Sequence, residues 1–246
     1  MPVEDASSSW RDAWARAWDS DLAYHFRCTP TAWVALGVAL ACLLGALLAP
    51  WIAPHNPFDP ASLHLSDALL APAWSEGGQL RYALGTDDQG RDIASALLYG
   101  SRISFSIALI TSVTYVGIGL ILGISAAYLG GIFDSAVGRI ADFLLSFPTT
   151  FMFVALSVPL TMRVEALGIA KDNGARIVVM VIVLTIFSWP GFFRVVRSQV
   201  LSLREREFIL ASQVLGASKR RIIFKELMPN LWPFAIIYLS ISLPGY

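Results

Sequence analysis

The feature that most constrains this chain is a set of long apolar runs without a single charged side chain. The runs 33–52, 103–129, 143–160 and 177–193 contain no Asp, Glu, Lys or Arg. In a helix, about 20 mostly apolar residues cross a bilayer core about 30 Å thick. Only 15% of the 246 residues are charged, against about 25% in soluble domains. The sequence therefore predicts an all-α integral membrane protein, a polytopic transmembrane helix bundle.

Not all of the predicted spans are regular. A fifth apolar run, 232–246, has 15 residues and is short for a complete crossing. The third run contains Pro148, and the fourth contains Pro190, which we expect to kink or end that helix. The first run, with Trp33 and Trp51 at its ends, is interpreted as a span and not as a signal peptide, because no short basic segment precedes it.

Small residues recur at every fourth position in two of the runs, which places them on one face of each helix. They are Gly37, Ala41, Gly45 and Ala49 in the first run, and Gly119, Gly123 and Ala127 in the second. Such faces allow helix backbones to approach closely. We expect packing within the bundle here rather than a specific dimer.

Charge predicts the orientation and the domain organisation. Twelve of the eighteen Lys and Arg residues lie on the side of the N-terminus, which the positive-inside rule places in the cytoplasm. Residues 1–32 are predicted to be a cytoplasmic segment with an amphipathic helix, lying along the membrane or packed on a partner protein. Residues 33–246 are predicted to form the transmembrane domain. Its external loop is 53–102 and its main cytoplasmic loop is 194–230.

Within the external loop, residues 84–92 combine glycines and aspartates in a pattern that could suggest a phosphate or calcium site. Neither fits, because no Gly-Lys-Ser/Thr follows and the acidic spacing differs from that of an EF-hand. The stretch is predicted to be a turn leading into a separate helix, 93–104, near the membrane.

The cytoplasmic loop 194–230 is basic and also periodic. Phe208, Ala211 and Leu215 share one helical face, and Gly216 offers a stop. A second helical pattern with Ile222, Ile223 and Leu227 follows. Two short helices joined at a glycine suit the groove of a partner protein. The alternative is an ordinary loop that carries positive-inside charge, but a loop of this length is unusual without a function.

Several other classes of function lack support. Cys28 and Cys42 cannot form a metal site, and the three histidines are scattered, so no metal or catalytic site is predicted. The balanced net charge gives no indication of nucleic acid. An ion-coupled secondary transporter or channel is the alternative reading, but it predicts ionisable groups inside spans, and the four charge-free runs have none. An intramembrane enzyme would need a nucleophile with its base, and no such motif is present.

Several motifs together resemble the inner-membrane permeases of bacterial ATP-binding-cassette importers, in the dipeptide, oligopeptide and nickel family, and specifically their C-type subunit. The external segment of that family is similar to Leu84–Phe105, and its first cytoplasmic turn is similar to Tyr128–Pro148. The cytoplasmic signature of the family is Glu-Ala-Ala followed, after three further residues, by Gly. The segment Leu210–Gly216 is similar to it, and Pro229 follows at the family's spacing. Leu210 replaces the glutamate of that signature.

The resemblance implies a type I importer permease with six spans, so that a sixth span is missing here. It implies a bacterial cytoplasmic (inner) membrane protein that binds no cofactor, with ATP used by two separate ATPase subunits. Other implied partners are a second permease subunit, an extracytoplasmic solute-binding protein and membrane lipid, and the implied cargo is peptide. The residues that it implies for coupling to the ATPase are Glu205, Glu207, Phe208, Ala211, Ser212, Leu215, Gly216, Ala217, Ser218 and Pro229, with Arg204, Arg206, Lys219 and Arg220 as further rim charges.

Overall fold

The computed structural model of the chain describes residues 27–57, 59 and 65–245, and within these residues regular structure is helical, with one isolated β-bridge. We label the helices α1 Pro30–Ile52, α2 Ile93–Leu129, α3 Gly131–Leu145, α4 Thr149–Ala166, α5 Asp172–Leu203, α6 Glu207–Val214, α7 Lys219–Arg221 and α8 Met228–Ser242. A π-helical turn, Ile222–Leu227, joins α7 to α8, and short 3-10 turns cover Leu65–Asp67 and Leu243–Gly245. The predicted all-α fold is confirmed.

Four of the described helical segments are long and apolar enough to cross a membrane. They are α1, α2, α5 and the continuous stretch Lys219–Gly245. Helices α3 and α4 make a fifth candidate as a pair that is bent by 88°. The described residues thus form a polytopic bundle. The amphipathic helix predicted near the N-terminus, around Trp10, Trp14 and Trp18, lies outside the described residues.

Two helices are longer than their predicted spans. The separate helix expected at 93–104 is the first part of α2, which runs for 37 residues without interruption. No proline occurs in this stretch, so no residue removes a hydrogen bond of the helix. Helix α5 continues through Pro190 to Leu203, so the loop expected from residue 194 is helical in its first ten residues.

The two central prolines have opposite effects. Pro148 precedes the first residue of α4, and its extended backbone separates α4 from α3. The predicted span 143–160 is therefore two helices and not one. Pro190 lies inside α5 and is buried there. In an apolar environment, ending a helix would expose several backbone groups, whereas a proline leaves only one carbonyl without its donor.

The chain divides into two compact units, Met1–Ile103 and Ser104–Tyr246, with the boundary inside α2. In the first unit, Thr86 and Asp92 form a β-bridge that closes a tight loop before α2. The Asp92 carboxylate accepts a hydrogen bond from the Ser95 amide at 3.0 Å and so caps the start of α2. The segment 84–92 therefore has a structural role, because its last residue starts α2.

Asp87 holds that loop together. Its carboxylate accepts hydrogen bonds from the amides of Gln89 and Arg91 at 2.9 Å and from the Arg91 guanidinium at 2.7 Å. Burial alone would raise the pKa of Asp87, but the hydrogen bonds from Arg91 and Gln89 outweigh it and hold the pKa below its ordinary value. The carboxylate is thus kept charged.

In the second unit, α2 and α5 pack with almost touching backbones. A Cβ atom added at Gly123 would lie 2.7 Å from Val196 Cβ, and one added at Gly119 would lie 3.1 Å from the Phe193 amide nitrogen. Phe192, Phe193 and Val196 are fully buried at this contact. The close approach predicted for the second small-residue stripe is confirmed, since only glycine leaves room for the neighbouring helix.

Candidate coupling site

Helix α6 is a short helix tied to the body of the second unit by one side chain. Ile209 is 0% exposed and belongs to a buried apolar cluster with Val200, Ile222 and Leu227. These residues come from α5 and from the π-helical turn that follows α7. A single anchor thus connects α6 to both long helices that flank it in the chain.

The opposite face of α6 is apolar and exposed. Val214 is 88% exposed and Leu215 is 86% exposed, and Phe208 and Leu210 are about half as exposed. The three residues predicted for the docking face, Phe208, Ala211 and Leu215, are all exposed. Leaving two large aliphatic side chains in water costs about 1.5–3 kcal/mol for each relative to burial. Exposed apolar side chains grouped on one short helix are a common feature of binding surfaces.

Gly216 makes the turn that ends α6. Its φ of +76° is in the left-handed region, which glycine adopts without strain. The amide of Gly216 donates to the Gln213 carbonyl, and the amide of Ala217 donates to the Ser212 carbonyl, both at 3.0 Å. This is the hydrogen-bond pattern of a Schellman motif. The turn predicted at Gly216 is present, and Ser212 and Ala217 contribute to it through their backbones.

The next two predicted residues are helix-start residues. The Ser218 hydroxyl accepts a hydrogen bond from the Arg221 amide at 3.3 Å and caps α7. Pro229 lies in the first turn of α8, where its missing N–H breaks no hydrogen bond of that helix. The π-helical turn ends just before it, and its buried residues Ile222 and Leu227 pack beside Ile209. Ser218 and Pro229 thus set the backbone shape of the segment through the helix starts that they form.

The charged residues around α6 have different surroundings. The Arg204 guanidinium donates to the Ala127 carbonyl at 3.2 Å, at the C-terminal end of α2, where a cation also complements the helix dipole. Glu205 and Glu207 are exposed, and within the part of the chain that the structure describes they form no ion pair. The Arg220 guanidinium lies 6.0 Å from the centre of the Phe224 ring. Arg204 is thus held at the end of α2, whereas the two glutamate side chains are exposed.

Two ion pairs connect α3 to α5. Arg197 donates two parallel hydrogen bonds to Asp134, at 2.6 and 2.7 Å. Arg194 donates to Asp142 at 2.5 Å. The bidentate Arg197–Asp134 pair fixes orientation as well as distance. The two aspartates lie in the segment Tyr128–Pro148, but the sequence does not predict their pairing, because the partners are 63 and 52 residues apart.

The sequence of this chain matches that of a known protein family over about half of its length. The sequence pattern of the family described as "Binding-protein-dependent transport system inner membrane component" matches residues 119–246. The chain belongs to this family. The matched range begins inside α2 and contains α3 to α8, so it includes the whole of the candidate coupling site.

The names of individual relatives in this permease family mention different transported substrates. The dipeptide transport system permease protein DppC of Haemophilus influenzae is 31% identical over 89% of this chain and 69% of its own length. The di/tripeptide permease protein DppC of Pseudomonas aeruginosa is 34% identical over 85% of this chain and 64% of its own. The nickel permease protein NikC of Escherichia coli is 31% identical over 84% and 66%. The chain therefore spans about two thirds of the length of these relatives.

Proposed function

We propose that this chain is the permease subunit of an ATP-driven, binding-protein-dependent peptide importer, and that a separate ATPase drives it through α6. Peptide permeases among its relatives reach 35% identity, which supports peptide as the cargo. In this proposal the transmembrane domain covers residues 33–246, and the N-terminus and α6 are cytoplasmic. The partners are a second permease subunit, two ATPase subunits, an external solute-binding protein and the lipid of the bacterial inner membrane.

The observation that carries the proposal is the exposed pair Val214 and Leu215 beside the Gly216 turn. A few buried apolar residues dominate the energy of most protein interfaces, while charges at the rim contribute less. The exposed face of α6 offers such residues, and Glu205, Glu207 and Lys219 supply a charged rim around it. A cleft on the ATPase that receives Leu215 would bury this side chain, which is exposed in the isolated chain.

The packing of Ile209 suggests how movement of α6 reaches the membrane helices. Ile209 contacts the cluster that contains Val200 of α5 and Leu227 just before α8. Since packed apolar side chains transmit displacement, a shift of α6 would displace the adjoining ends of both helices. ATP can bias the importer between two states only if the ATPase binds α6 differently in each.

The test uses the assembled importer with Leu215→Asp in this chain. Loss of the leucine and burial of an unpaired carboxylate should reduce recovery of the ATPase with the permease about tenfold or more. The matched control is Leu80→Asp, because Leu80 is 93% exposed and lies outside the coupling segment. The control should recover the ATPase normally. Equal recovery with Leu215→Asp and with the unaltered chain would contradict the proposal.

A further inference from the structure

A cavity of about 430 Å³ lies between α4 and α5, at the end of α5 that is farthest from α6. Its volume is within the range of about 300–1,000 Å³ that is typical of small-molecule sites. The distance from Arg176, in the second turn of α5, to the end of that helix is about 40 Å at 1.5 Å per residue. The residues that line the cavity are Phe153, Ser157, Val158, Thr161, Met162, Arg176 and Val179.

Arg176 is the charged residue of this lining. Within the part of the chain that the structure describes, its guanidinium makes no ion pair and no hydrogen bond. The arginines at the other end of the helix, Arg194 and Arg197, are both paired with aspartates. Arg176 is exposed in the second turn of α5, so its guanidinium is accessible to a ligand in the cavity. Arg176 directly precedes the charge-free run 177–193, so the sequence predicts that it lies outside the membrane.

The two hydroxyl groups in the cavity can act only as acceptors. Ser157 donates its proton to the Val154 carbonyl at 3.0 Å, and Thr161 donates to the Ser157 carbonyl at 2.6 Å. Each oxygen keeps a lone pair for a ligand N–H group. The remaining wall is apolar, with Val158 and Met162 prominently exposed.

We propose that this cavity binds the C-terminal residue of the peptide cargo, with Arg176 donating to its carboxylate. Guanidinium groups match carboxylates in geometry and charge. Ser157 or Thr161 accepts from the peptide amide, and the apolar wall contacts the terminal side chain. The inference rests on the proposed function and names the part of the cargo that this cavity recognises. A bare divalent cation would be repelled by Arg176, so the cavity favours peptide over free metal ion.

The test compares uptake of a dipeptide with its C-terminal amide by the reconstituted importer, with and without Arg176→Gln. Removal of one charge-assisted hydrogen bond should lower uptake of the free acid about tenfold. Uptake of the amide should not change. The solute-binding protein is the same in all measurements, so its own preference cancels when the free-acid to amide uptake ratio of the variant is divided by that of the unaltered importer. Arg176→Lys keeps the charge and should restore part of the preference for the free acid.

The control is Arg163→Gln, which removes an exposed arginine of α4 that does not line the cavity. It should leave both uptake rates unchanged. Equal slowing of both peptides by Arg176→Gln would indicate a structural role, and no slowing of either would show that Arg176 does not meet the cargo. Each result would overturn the inference. If the unaltered importer takes up neither peptide, the proposed function itself fails.

Discussion

At the scale of single residues, Gly216 and Gly117 can be compared directly, because both have open space at the position of a Cβ atom. A Cβ atom added at either position would meet no atom within 4 Å. They differ in backbone conformation, since Gly216 has φ +76° and Gly117 lies inside the regular helix α2. The requirement for glycine at position 216 therefore comes from its backbone and not from crowding.

This difference predicts opposite effects of alanine. Gly216→Ala should destabilise the turn by about 1 kcal/mol, the cost of the left-handed region for a residue with a Cβ. Gly117→Ala should stabilise its helix by up to about 1 kcal/mol. Thermal denaturation midpoints in detergent would compare the two variants under one scan rate. A midpoint for Gly216→Ala equal to or above that of the unaltered chain would show that the turn does not need glycine.

The pair Asp134–Arg197 gives the second prediction at this scale. Asp134→Ala and Arg197→Ala should each destabilise the protein, and the double variant should be little worse than either one, because both remove the same interaction. The expected coupling free energy is about 1 kcal/mol, since the Arg197 side chain is 38% exposed. A double-mutant cycle by thermal denaturation measures it. Additive effects of the two substitutions would mean that the pair contributes nothing.

At the scale of helices, the contact between α2 and α5 depends on Gly123. Gly123→Leu should separate the helices, because even a Cβ atom there would approach Val196 to 2.7 Å. Overpacking of this kind costs about 1–3 kcal/mol. Gly117→Leu serves as the control, since its Cβ would enter open space. The melting midpoint should fall for Gly123→Leu alone, and equal midpoints for the two leucine variants would refute this account of the contact.

The helices also show which part of the fold the sequence could predict. Charge-free runs identify the membrane helices, because water-free surroundings impose apolar side chains along their whole length. Their ends were less predictable. Pro148 separates two helices while Pro190 lies inside one, and both are prolines in apolar sequence. The difference depends on tertiary packing around Pro190, which local sequence does not contain.

In the candidate coupling site too, the sequence predicts the features that depend on local conformation and not those that depend on tertiary packing. The exposed face around Phe208 and the stop at Gly216 could be predicted, since both depend on helical periodicity and local conformation. The anchor Ile209 and the strongly exposed Val214 were missed. Both are large aliphatic residues in one helix of eight residues, so composition does not distinguish the buried one from the exposed one. Their difference arises from contacts with α5 and the π-helical turn.

At the scale of the whole molecule, coupling to an ATPase through α6 requires that the exposed face of α6 lies in the cytoplasm and is covered by that ATPase. The family assignment makes the chain an inner-membrane transport component. The side on which α6 lies and the partner that covers it are proposals. Both can be tested by the reactivity of one introduced cysteine, after replacement of the exposed Cys28 and Cys42 by serine.

The most direct measurement is labelling of Leu215→Cys with a membrane-impermeant thiol reagent in vesicles of both orientations. Leu80→Cys, on the predicted external segment, is the control for sidedness. We expect Leu215→Cys to react only in inside-out vesicles, and to be protected once the ATPase subunits are assembled on the permease. Labelling of Leu215→Cys in right-side-out vesicles, or full labelling in the assembled importer, would contradict the central claim.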